Sequence, residues 1–145
     1  MTEALPLGPE VDATPRPLPA RVVHRGTHVT LEPLHVRHAP DLWRAAQGAD
    51  QSWAYLGYGP FESEAALRRQ IGALAAQHDP MFFAVRPHAS GMVTGWLSFM
   101  EIRPADADIE IGHIWFGPAL QRTRAGTEAI ALLMRHAMDD LGYRR

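Results

Sequence analysis

The sequence contains no cysteine, which excludes a disulfide framework, a thiolate metal site and a cysteine nucleophile together. It has no run approaching the ~18 consecutive apolar residues of a membrane span. Its first residues, Met1-Thr2-Glu3-Ala4-Leu5-Pro6, carry no basic stretch leading into an apolar one, as a secretory signal would. A charge excess is missing too: the formal net charge of -2 offers no basic surface of the kind nucleic-acid modules use. These absences point to a soluble cytoplasmic protein with neither a nucleic-acid nor a membrane partner.

What is present suffices for one domain, since 145 residues with 46% hydrophobic content can bury a core. Residues 1–20 hold Pro6, Pro9, Pro15, Pro17 and Pro19 with few large apolar residues, and read as a flexible tail. The domain then runs from 21 to 145. Alternation of Val29 and Leu31 with Thr30 and Glu32 predicts a first strand ended by Pro33, and residues 38–47 a short helix with Pro40 in its first turn. Ser63 caps a second helix whose Leu67, Ile71 and Leu74 form one stripe, stopped by Asp79-Pro80.

Two strands follow, 81–85 and 93–102. The second is apolar on both faces, with Val93, Leu97 and Phe99 on one side and Trp96, Met100 and Ile102 on the other. A polar turn, 103–108, leads into a further strand, 109–116, expected as its antiparallel neighbour. The last helix places Ile130, Leu133, Met134, Ala137 and Leu141 inward and Glu128, Arg135 and Asp139 outward, with Gly142 as its stop.

The segment between that strand and that helix carries the chemistry. Gln121-Arg122-Thr123-Arg124-Ala125-Gly126-Thr127 opens the helix, where unpaired backbone N–H groups and two arginines could hold a pyrophosphate, with Gly126 allowing close approach. The pattern alone also fits an ordinary strand-to-helix connection with surface arginines.

At these residues the chain resembles the GNAT superfamily of acyl-CoA-dependent N-acetyltransferases, and most of all the branch that acetylates ribosomal-protein N-termini. Gln121 and Gly126 match the family signature, while Arg124 stands where its first glycine is expected. The likeness extends over residues 25–145, through Leu31-Glu32-Pro33-Leu34, Trp53-Ala54-Tyr55-Leu56, Gly59-Pro60-Phe61, Gly95 and Ile109-Glu110-Ile111-Gly112. It implies an α+β fold: a mixed, mainly antiparallel sheet flanked by helices, with acetyl-CoA as co-substrate and no metal. It further implies that Ile114 and Phe116 hold the pantetheine arm by main-chain groups, and residues 121–127 the pyrophosphate.

The acceptor implied is a primary amine, on a peptide N-terminus or a small molecule. Such transfer needs a base, and the candidates are Glu110, acting through water, and Glu101 on the neighbouring strand. For Glu110 a plain exposed carboxylate is an equal reading. His113 is expected on the face opposite Glu110, as a packing residue. Trp53, Tyr55 and Tyr58 could wall an acceptor groove or pack their loop onto the core. His35 and His38 lack further ligands at metal spacing.

Relative to the family the chain stops early, at Arg145, so the sequence also admits a catalytically impaired acyl-CoA-binding or interaction module. The strand 109–116 is then expected to leave an edge open to self-association.

Overall fold

The computed structural model describes residues 4–145. Five antiparallel strands lie in the order of the chain: β1 (His24–Arg25), β2 (Val29–Pro33), β3 (Met81–Pro87), β4 (Gly95–Arg103) and β5 (Asp108–Phe116). Helices α1 (Ala39–Ala46) and α2 (Glu64–Ala75) cover one face, and α3 (Arg124–Arg135) covers the other. The expected α+β sheet flanked by helices is therefore what forms.

Side-chain alternation in β3 shows how the layers are assigned. Phe82 and Ala84 join Leu42, Leu67, Ile71 and Trp96 under α1 and α2. Met81, Phe83 and Val85 meet Leu97, Phe99, Leu132 and Leu133 under α3. Ser63 caps α2 as expected, and Leu67, Ile71 and Leu74 are buried.

Several expectations are corrected. Val93 packs with Trp96 rather than with Leu97, because it precedes the strand; Ile102 packs with Phe99, because a bulge at Glu101 (φ 47°) reverses the alternation. The buried stripe of α3 is Ala129, Leu132 and Leu133, a rotation that leaves Met134 51% exposed. Glu128 does not simply face water: its carboxylate accepts the N–H groups of Thr27, His28 and Val29 at 3.0, 2.7 and 3.0 Å, tying α3 to the start of β2.

After α3 the chain makes a π turn through His136–Asp140, and the helical segment is stopped at Gly142 (φ 78°). The proline-rich segment has no regular secondary structure between residues 4 and 22, yet it is anchored. Arg16 donates its N–H to Pro104 O at 2.8 Å, and the Tyr143 hydroxyl donates to Pro17 O at 2.9 Å. Arg21 closes the end of α2 by donating to Ala75 O at 2.7 Å. His35 and His38 serve as a capping pair for the turn before α1: the Nδ1 of His35 accepts from Arg37 N–H and that of His38 from His35 N–H, both at 3.1 Å.

Candidate active site

β5 is the edge strand among the described residues, so no other strand of theirs lies on its outer side, and its alternation breaks midway. Ser98 pairs with Gly112 and Trp96 with Trp115, so one residue of β4 faces two of β5, His113 and Ile114. His113 takes φ 47°, in the left-handed region, and Ile114 is left without a register partner. The sequence held this signal: Ile109 and Ile111 alternate, and the next apolar residues of that set, Ile114 and Phe116, resume one position late.

The bulge overturns the expected placing of His113. Ile109 and Ile111 pack toward α3, which puts Glu110 on the opposite face. His113 reaches that face too, its ring centroid 5.7 Å from Phe82 and 6.4 Å from Tyr58, the latter stacked at 11°. Glu110 is exposed and shares a cavity of about 280 Å³ with Glu101. The two candidate bases are thus brought together, Glu101 being held by Arg103 at 2.9 Å. Arg145 binds Asp108 in the same cavity, and the hydrogen bond from its guanidinium lowers the Asp108 carboxyl below its usual range.

The three aromatics that could wall a groove or pack their loop onto the core stand in different environments. Trp53 is 2% exposed and stacks on Trp115 at 4.3 Å between centroids. It is a core residue, because an indole buried between two others forfeits too much area if turned outward. Tyr55 stands fully exposed. Tyr58 is half-buried, and burial pushes its phenol upward, against a smaller downward pull from the neighbouring Trp96 indole.

Beyond β5, Gly117 N–H donates to Thr94 O at 2.9 Å and the chain turns through Leu120 into α3. The Gln121 side chain donates to Phe116 O at 2.9 Å, so this carbonyl is taken and Ile114 is the freer of the two edge residues. Thr123 is the N-cap: its Oγ1 accepts from Gly126 N–H at 3.1 Å and donates to Leu120 O at 2.7 Å. Arg122 sits at φ 58°, a local reversal that gathers successive N–H groups. Among the described residues, the N–H groups of Arg122, Thr123, Arg124 and Ala125 have no partner in the chain, and neither arginine is in an ion pair.

Gly126 has a reason internal to the fold. A Cβ there would lie 2.9 Å from Leu120 O and 3.3 Å from the Phe116 ring, so glycine lets α3 seat against the turn. Its N–H belongs to the cap, and Thr127 N–H donates to Thr123 O at 3.1 Å, so neither is free for a ligand.

Residues 28–145 match the family model of an acetyltransferase (GNAT) domain. The fold superposes on a GCN5-related N-acetyltransferase from Brucella melitensis with a TM-score of 0.87 and 40% identity, covering 90% of this chain and 61% of that one. The chain therefore spans about three fifths of that protein's length. A GNAT-family protein from Chromobacterium violaceum gives 0.82 and 36%, covering 97% and 73%. A ribosomal L7/L12 alpha-N-protein acetyltransferase shares the fold at 0.66 and 18%, covering 89% and 71%. No curated protein matches the chain.

Proposed function

The chain belongs to the GNAT acetyltransferase family, and we propose that it binds acetyl-CoA beside β5 and acetylates a primary amine. One observation carries the reading: four consecutive N–H groups, 122–125, unpaired among the described residues and including those of two arginines outside any ion pair there, follow an open strand edge after a short turn. Such a helix start suits a pyrophosphate without any dedicated lysine. Ile114, unpartnered at the bulge, is the main-chain anchor for the pantetheine arm, with Phe116 contributing beside it.

When bound, acetyl-CoA supplies a thioester carbonyl as acyl donor. The chain's part is to hold the phosphates, keep the donor against β5, and take a proton from the acceptor's ammonium so that the neutral amine can attack the thioester carbonyl, with the CoA thiolate leaving. Glu110 is the proposed base, through water, because it is exposed on the face that carries Tyr58 and His113. Glu101 is the second carboxylate of the same cavity. The acceptor proposed is a protein N-terminal α-amine, in the cytoplasm, a suggestion supported by the fold shared with an alpha-N-protein acetyltransferase.

Isothermal titration with acetyl-CoA, followed by assay against N-terminal peptides and small amines, tests this reading. Binding with acetylation of a peptide amine is expected. Binding with no acetylation of any amine would instead support an acyl-CoA-binding or interaction module. The outer edge of β5 beyond Ile109, whose N–H donates to Arg145 O at 2.8 Å, is proposed as a self-association surface. A concentration-independent monomer in analytical ultracentrifugation would remove that part.

A further inference from the structure

A cavity of about 460 Å³ opens between the β3–β4 hairpin and the first turn of α3. Its size and mainly apolar walls, among them Ala89, Met92 and Ala119, match those of small-molecule sites. The hairpin wall is pinned by the His88 ring, whose Nδ1 lies 3.0 Å from Thr27 O and whose Nε2 lies 2.8 Å from Thr30 Oγ1.

Two features give this apolar space a polar end. Thr94 lines it at 8% exposure, and its Oγ1 has no hydrogen-bond partner. A buried hydroxyl left unpaired is unfavourable, and a ligand oxygen would satisfy it. The second feature is charge: Arg124 borders the cavity, and no carboxylate among the described residues does.

We propose that this cavity is a second ligand site, for a small organic anion with an apolar body, such as an aromatic carboxylic acid. Its occupant opposes co-substrate binding, because Thr123, Arg124 and Ala125 border both the cavity and the phosphate cradle. That antagonism rests on the cradle assigned above; the site itself does not.

The probe is 8-anilinonaphthalene-1-sulfonate, whose fluorescence rises on leaving water, paired with N-phenyl-1-naphthylamine, which has the same rings without the sulfonate. One sulfonate is expected per chain, bound about tenfold more tightly than the neutral amine, in line with one charge-assisted contact. Ala89→Trp fills the cavity from an exposed hairpin position and lowers sulfonate affinity about tenfold or more; Thr94→Val lowers it about threefold. Acetyl-CoA weakens the sulfonate in the unmodified chain, and Ala89→Trp leaves acetyl-CoA affinity unchanged.

Equal binding of the neutral probe overturns the anion class. Sulfonate binding that survives Ala89→Trp overturns the location. Parallel loss of acetyl-CoA affinity in Ala89→Trp makes the cavity part of the co-substrate's own seat and overturns a separate site. Should acetyl-CoA not bind at all, the cradle fails while the two probe arms still decide the cavity.

Discussion

Helices α2 and α3 begin alike and are charged in opposite ways. Ser63 Oγ accepts from Ala66 N–H at 3.1 Å, and Thr123 Oγ1 accepts from Gly126 N–H at the same 3.1 Å. Around the first cap stand Glu62 and Glu64, which satisfy the positive end of the helix dipole from within the chain. Around the second stand Arg122 and Arg124, and no acidic residue lies in the first turn. A cap satisfies one N–H in either case; the charges decide whether the remaining field is quenched or kept for an anion. α2 is a structural helix start, and α3 is one held ready for a ligand.

The largest effect expected from this contrast is on ligand affinity. Reversing both arginines, Arg122→Glu with Arg124→Glu, removes two charge-assisted contacts of about 1.5 kcal/mol each and weakens acetyl-CoA about 100-fold by isothermal titration. The mirror change, Glu62→Arg with Glu64→Arg, leaves that affinity unaltered. Equal losses in the two variants would mean that long-range charge, not the α3 start, governs binding.

Next in size is the carboxylate further along α3. Glu128 loses solvation on folding, which raises its carboxyl pKa, but the N–H bonds from His28, Thr27 and Val29 together outweigh that and lower it below its ordinary 4.5. A lowered folded value means the contribution to stability is present above pH 4.5 and fades as pH falls below it. Glu128→Gln is expected to cost about 1–3 kcal/mol at neutral pH in urea unfolding. The gap between variant and parent narrows in acid; a gap independent of pH would show that the charge is not what holds the β2 start.

The caps themselves separate structure from function at a smaller scale. Ser63→Ala and Thr123→Ala each remove one cap bond and cost about 1 kcal/mol of stability. Only Thr123→Ala is expected to weaken acetyl-CoA as well, severalfold, because Thr123 also ties the turn to Leu120 O at 2.7 Å. A thermal shift and a titration on the same two proteins read both quantities.

Much of this contrast was legible in the sequence. Ser63 before Glu64 and an apolar stripe at 67, 71 and 74 state a capped amphipathic helix, and the Gln121–Thr127 run states a helix start rich in arginine. What escaped was wherever the regular period fails. The bulges at Glu101 and His113 add a residue to one strand only, so every inward assignment past them inverts; this moved Ile102 and His113 to unexpected faces. Trp53 was left between two readings, since an aromatic among glycines has the same composition whether it lines a groove or stacks on Trp115, and only the packing decides. Glu128 was read from its own helix alone, while its partners lie about 100 residues earlier.

The smallest effect is the most direct test of the field at each helix start. Glu64→Gln removes a negative charge from the positive end of α2 and is expected to lower stability by about 0.3–1 kcal/mol. Arg124→Gln removes a like charge from the positive end of α3 and is expected to raise stability by a few tenths of a kcal/mol when no ligand is present. Both changes lie at exposed positions, so both should shrink as salt shortens the screening length toward ~3 Å at 1 M. Opposite signs at low salt, converging at high salt, would establish that the chain keeps an unfavourable charge at α3 that only a bound anion relieves. Loss of stability in Arg124→Gln would instead give that arginine a partner within the fold, and the field at the α3 start would then not be held for a ligand.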